Sequence, residues 1–241
     1  MWQAIIGIIV LVMLLIFLKE KPKTPPSASS DDADEKKDVW EENKKIMKDK
    51  NFIKLIVTFG ILFGTINTYG TIIGIITNKF GYSDNNASLF GAVFIIGGLI
   101  GCAILGAFVE VTRKYKTAMI MIGVIAVLAP LGLMGTLFTG EVWPVCIGAF
   151  VLGFDLAILP VGIDFGVEIT YPIAEPISTG LLMSFAQLFG IVTVISCTAL
   201  VSAFDKKGCV YAQCIMIVLA AVGLVFAILV KSDLKRLNYE K

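Results

Sequence analysis

The stretch Asp164–Gly180 reads DFGVEITYPIAEPISTG and separates two long apolar runs. It carries the acids Asp164, Glu168 and Glu175, and the prolines Pro172 and Pro176. Proline lacks a backbone donor and clashes with the preceding helical turn, so it ends one helix or opens another. Tyr171-Pro172 therefore closes a helix, and Glu175-Pro176 opens the next. On this reading the stretch is the end of one apolar helix, a tight loop and the start of a second. Its acids read as gate contacts more than as an active site.

The flanking runs belong to a series. A membrane crossing takes about 20 mostly apolar residues. Seven segments qualify, at roughly Trp2–Leu18, Phe52–Thr77, Ala87–Val111, Thr117–Phe138, Trp143–Tyr171, Ser178–Phe204 and Val210–Val230. The first lacks a basic leader region and a small-residue cleavage site, so it reads as a span rather than a signal peptide. Composition agrees: 57% of the 241 residues are hydrophobic, 16% are charged, and the mean hydropathy is +0.87. Soluble domains are usually about 45–50% apolar and about 25% charged. No basic stripe lies inside a folded segment, so nucleic acid is not an expected partner.

Charge distribution orients the spans. With the N-terminus outside, the inner side receives Lys19–Lys54, the Arg113–Lys116 loop and the tail from Lys231. Together these hold 17 of the 20 basic residues. Lys79, Lys206 and Lys207 remain outside. The expectation is an N-terminus outside and a cytoplasmic C-terminus.

The soluble segment has two parts. KEKPKTPPSASSDDAD is Pro/Ser-rich and then acidic, which reads as a flexible linker. In the following EKKDVWEENKKIMKDK, residues Val39, Trp40, Asn43, Ile46 and Met47 share one helical face. This predicts a short amphipathic helix at the inner membrane surface. Within the spans, Gly60/Gly64, Gly70/Gly74, Gly97/Gly101, Gly98/Cys102/Gly106 and Gly162/Gly166 repeat a small residue every four positions, which favours close helix packing.

Several chemistries are excluded. There is no histidine to serve as a metal ligand or general base, and no Gly-rich phosphate loop. The five cysteines form no C-x-x-C pair and read as small packing residues, with a Cys209–Cys214 bridge left open. No catalytic residue, metal site or cofactor is expected. A heptahelical receptor has the same span count. However, the third span ends without D-R-Y, the seventh has no N-P-x-x-Y, and the first inner loop is long.

Polar groups inside spans mark cavities, pathways or paired charges. Asp155, Asp164 and Glu168 lie in one span, with Pro160 bending the helix between the first two. Asp155 and Asp164 are candidates for an ion or proton pathway, or are structural acids. Glu168, near the inner end, reads as a structural acid facing a basic group. In the next span Gly180, Met183, Ser184, Gln187 and Ile191 share a face, and the Gln187 amide needs a helix or a substrate as partner. Asn67, Thr68, Tyr69 and Thr71 form a second polar cluster. An amide beside an aromatic ring suits a small polar or cationic ligand.

These motifs have a resemblance. GAFVEVTRKYK (Gly106–Lys116) resembles the inner loop repeated in each half of the major facilitator superfamily, with Gly106, Glu110, Arg113 and Lys116 in its pattern and Glu for the usual Asp. GVEITYP with STGLLMSFAQLFGI, FLKEKPKTPPS and VKSDLKR resemble, in order along the chain, the feline leukaemia virus subgroup C receptor-related family of that superfamily. The resemblance implies an all-α membrane protein with the facilitator fold, its seven transmembrane helices matching helices 6–12 of twelve. It divides the chain into a transmembrane helix (1–18), a cytoplasmic inter-half linker with an amphipathic helix (19–51), a C-terminal six-helix bundle (52–231) and a cytoplasmic tail (232–241). It further implies a fragment whose partner is the missing N-terminal half of the same fold, in a lipid bilayer and, by family, the plasma membrane.

The implied activity is alternating-access transport of a small organic cation or amine, choline- or ethanolamine-like. The alternatives are a haem or porphyrin transporter and a non-transporting protein, either a half-transporter subunit or a receptor. The implied substrate-binding residues are Gln187, Tyr69, Asn67 and Met183. Gln187 matches the family's substrate-contacting Gln. Asn67 stands at an aromatic position of the family, with Tyr69 two residues on, and Met183 stands where the family has Asn. The implied inner-gate contacts are Gly106, Glu110, Arg113 and Glu168.

Overall fold

The computed structural model describes residues 2–17 and 39–239, and the chain divides into two units, Met1–Asp38 and Val39–Lys241. In the first unit, Trp2–Phe17 form helix α1, 16 residues long. Residues 19–38 of the expected linker 19–51 lie outside the described residues, as does Leu18 of the expected first span.

The second unit is built from helices. A short α2 (Val39–Ile46) precedes α3 (Lys50–Lys79), α4 (Asp84–Thr112), α5 (Tyr115–Leu137) and α6 (Val142–Gly153). A 3-10 turn, Phe154–Ala157, joins α6 to α7 (Ile158–Thr170). Then come α8 (Glu175–Leu229) and a five-residue α9 (Lys235–Tyr239). The expected amphipathic helix is α2, and only one edge of its apolar face is buried: Ile46 is enclosed, while Val39 and Trp40 are exposed.

Five helical stretches in the described residues are long and apolar enough to cross a membrane, the α6–α7 pair counting as one. The 55 residues of α8 would reach about 80 Å, more than two bilayer cores. Its helix breaks at Asp205, at φ 53° and ψ −128°, and the chain forms two arms there. The Lys79–Asp205 ion pair (2.7 Å) ties that break to the far end of α3. The described residues therefore provide six crossings where seven were expected. The seventh expected span coincides with α1, described over Trp2–Phe17.

Local sequence explains the boundaries. Asp49 caps α3 by accepting the Asn51 N–H at 2.8 Å, and Ser83 caps α4 through Asn86 N–H. Arg113 ends α4 in the left-handed conformation, its N–H on the Val109 carbonyl. Pro160 cannot donate to the Leu156 carbonyl and its ring crowds it, which accounts for the 3-10 turn placed just before it. Thr170 ends α7 and Glu175 starts α8, on either side of the loop read from the two prolines.

Helix α3 is the central element. In its most apolar 18-residue window 72% of residues are buried, against 33% in α4 and in α8, whose outer faces present Leu99, Ile104, Val218 and Val225. Phe52, Phe59, Ile66 and Ile72 of α3 fill the interior. Two close crossings set the bundle. On α3, a Cβ at Gly64 would lie 3.1 Å from Gly190 N of α8; on α4, one at Gly97 would overlap the Phe150 carbonyl of α6. Both crossings use glycines that the small-residue pattern had marked.

Candidate functional site

The α3–α8 crossing carries a groove of about 400 Å³ on the bundle surface. Asn67 and Thr71, one turn apart, supply its α3 wall. Gln187, Gly190, Ile191, Val194 and Ile195 of α8 supply the other. The α8 residues recur at three- and four-residue steps, one helical stripe. The Thr71 hydroxyl donates to the Asn67 carbonyl at 2.9 Å. Behind the groove the buried Thr68 and Thr193 hydroxyls are 2.8 Å apart, joining α3 to α8.

Asn67 and Gln187, distant in sequence, are thus brought together. Gln187 is exposed, and among the described residues no hydrogen bond occupies either side-chain amide. In hydrocarbon an unsatisfied amide is costly, so this stripe suits water, a protein partner or a ligand rather than acyl chains. The amide carbonyls can accept from an ammonium or hydroxyl, and the alkyl wall can cover methyl groups.

Two other expected substrate residues lie elsewhere. Tyr69 is 2% exposed, pointing into the bundle with its hydroxyl unpartnered. Two residues along a helix is about 200° around it, so Asn67 and Tyr69 face opposite ways. Met183 packs against the core and is not part of the groove lining. The pathway candidates also separate. Asp155 is enclosed at the 3-10 turn with one carboxylate oxygen unpartnered, whereas Asp164 is exposed on α7. Sequence reading missed Gly190, Val194 and Ile195, although extending the Gln187–Ile191 stripe by one turn would have found them.

The four gate candidates occupy one end of the bundle. Gly106 has open space around its Cβ position, and Glu110 is exposed on the last turn of α4. The Arg113 guanidinium is held more firmly charged, first by a hydrogen bond with Tyr115 and then by the negative charges of Glu168 and Glu110. Tyr115 stacks on Phe165. Glu168 is buried and accepts the backbone N–H of Leu237 at 3.2 Å. In the tail, Lys235 pairs with Asp49 at 3.3 Å and Arg236 with Glu175 at 3.9 Å. Asn51 exchanges two hydrogen bonds with the Lys231 backbone, at 2.9 and 2.7 Å.

All five cysteines are free, Cys209 and Cys214 included. Among the described residues no cluster of three or more His, Cys, Asp or Glu could hold a metal ion.

Comparison with known proteins identifies the family. Residues 2–161 match the family described as Major Facilitator Superfamily. The choline/ethanolamine transporter FLVCR2 of Homo sapiens is 29% identical over 246 residues, 98% of this chain and 45% of that protein. The choline/ethanolamine transporter FLVCR1 of Felis catus is 29% identical over 232 residues, 94% of this chain and 41% of that protein. The chain spans less than half the length of these relatives.

Proposed function

For this chain, which belongs to the Major Facilitator Superfamily, we propose one half of an alternating-access carrier for a small organic cation or amine of the choline or ethanolamine kind. The observation that carries the reading is the groove that pairs Asn67 and Gln187. Facilitators hold substrate between two halves near the bilayer midplane, and these amides sit midway along two apolar helices. They would form this half's share of the site, closed by a second six-helix half.

The lining fits the proposed substrate class. Amide carbonyls orient a hydroxyl or ammonium by hydrogen bonding, and Ile191, Val194 and Ile195 give alkyl contact to N-methyl groups. The lining contains no carboxylate. An uncharged lining binds a cation without trapping it, and a carrier must release its cargo on the other side. Arg113 and Glu168, with Glu110, would act at the end where the tail docks, which charge distribution assigns to the cytoplasm. The relatives' names support the substrate class. A haem cargo is less well served, because no lining residue is a usual haem-iron ligand.

Radiolabelled choline and ethanolamine uptake by choline-starved cells expressing the full-length protein tests the reading. Uptake above the vector control, saturable and competed by the other amine, is expected. Uptake equal to the control for both amines would overturn it.

A further inference from the structure

The two walls of the groove come from helices whose first residues are held by two consecutive residues of the tail. Asp49 caps α3, the helix of Asn67: one carboxylate oxygen takes the Asn51 N–H and the other takes Lys235 Nζ at 3.3 Å. Glu175 is the first residue of α8, the helix of Gln187, and pairs with Arg236 at 3.9 Å. The next residue, Leu237, places its N–H on Glu168 at the end of α7. Tyr239 lies against Tyr171, ring centres 5.0 Å apart. Helix α9 therefore bridges the starts of both groove helices and is itself seated on the loop between α7 and α8.

We propose that Lys235 and Arg236 are positioning residues for the groove: by holding Asp49 and Glu175 they fix the spacing of α3 and α8, and so the separation of Asn67 from Gln187. The lever is visible in the packing. The helices run in the same direction and touch at Gly64–Gly190 and Thr68–Thr193. From Asp49 to Gly64 is about 22 Å of helix, and from Gly64 to Thr71 about 10 Å. A change of spacing at the tail end thus reaches the Thr71 side of the groove at about half its size and with opposite sign. Both ion pairs are partly open to water, with side-chain exposures of 41% and 35% for Lys235–Asp49 and 32% and 63% for Arg236–Glu175. Such pairs are screened by salt, so the clasp is releasable. A releasable clasp suits a carrier that must rock.

The inference rests on the groove being the substrate site, and the experiment separates the two claims. Spin labels at Ile53→Cys on α3 and Gly180→Cys on α8 report the spacing by pulsed electron paramagnetic resonance, in full-length protein with Cys102 and Cys214 replaced by Ser. Ile53 is exposed, and a Cβ at Gly180 meets nothing within 4 Å. The combined variant Lys235→Ala with Arg236→Ala should broaden or shift the distance distribution and raise the KM for choline at least about twofold. High salt should mimic this in the wild type. Lys235→Arg should leave both readouts unchanged, and the swap Arg236→Glu with Glu175→Arg should restore what Arg236→Glu alone disturbs. A distance distribution and KM unchanged in the alanine variant, in protein that takes up choline, would overturn the inference. Altered spacing in a protein that takes up no choline would uphold the positioning role and remove the substrate assignment instead.

Discussion

The Thr68 and Thr193 hydroxyls meet at 2.8 Å, buried where α3 crosses α8 and one residue behind Asn67. Each hydroxyl has one proton, so one donates across the crossing and the other, accepting it, donates to a carbonyl of its own helix, Gly64 for Thr68 or Phe189 for Thr193. The pair is therefore a bridge whose loss leaves little unsatisfied. Interhelical hydrogen bonds in membranes average about 0.6 kcal/mol. A double-mutant cycle with Thr68→Val and Thr193→Val, read by unfolding in mixed micelles, should give a coupling of about that size. A coupling near zero would show that the contact is geometric only.

The same crossing depends on Gly64. A Cβ there would lie 3.1 Å from Gly190 N and 3.3 Å from Phe189 Cδ1, with helix backbone on one side that cannot easily yield. Gly64→Ala should lower the melting temperature, and Gly64→Val should lower it further with loss of ligand binding. Gly180→Ala, on the same face as Gln187 but in open space, should be neutral or slightly stabilising by helix propensity. Equal melting temperatures for Gly64→Val and wild type would contradict the tight crossing.

Asp155 is enclosed, and one of its carboxylate oxygens has no partner. A buried charge without a full set of partners is destabilising, and Asn keeps the shape while removing the charge. Asp155→Asn should melt at or above the wild-type temperature. If Asp155 carries a proton during transport, the same variant should also flatten the pH dependence of uptake. Lower melting with unchanged pH dependence would assign it a structural role through an unseen partner.

The break in α8 is paired with an ion pair. Asp205 adopts a positive φ of 53°, strained for any residue with a side chain, while its carboxylate holds Lys79. Asp205→Ala loses the pair and keeps the strain. Asp205→Gly loses the pair but releases the strain. The glycine variant should therefore melt above the alanine variant. The reverse order would show that the turn is unstrained.

Much of the architecture was legible because lipid imposes long apolar runs. The loop at Tyr171–Pro176 was readable from proline chemistry alone, and α7 and α8 stop and start on either side of it. Helix α1, marked as a span by its composition, is described over Trp2–Phe17. The candidate site was half legible. Asn67 and Gln187 share a groove because each lies on the outward stripe of its helix. Tyr69 was grouped with Asn67 as a neighbour in sequence, yet helical geometry turns it about 200° away into the core. Glu168, read as a structural acid facing a basic group, acts on Arg113 by its charge and also accepts a backbone N–H from Leu237, 69 residues on. No local pattern announces a contact that depends on how a five-residue tail helix docks.

The role proposed for Gln187 is contact with a small amine cargo. The direct measurement is the KM for radiolabelled choline uptake by Gln187→Ala in the full-length protein, at matched surface expression. Loss of one net hydrogen bond of about 0.5–1.5 kcal/mol predicts a rise of roughly 2- to 12-fold. A KM and maximal rate equal to wild type would remove Gln187 from the substrate site.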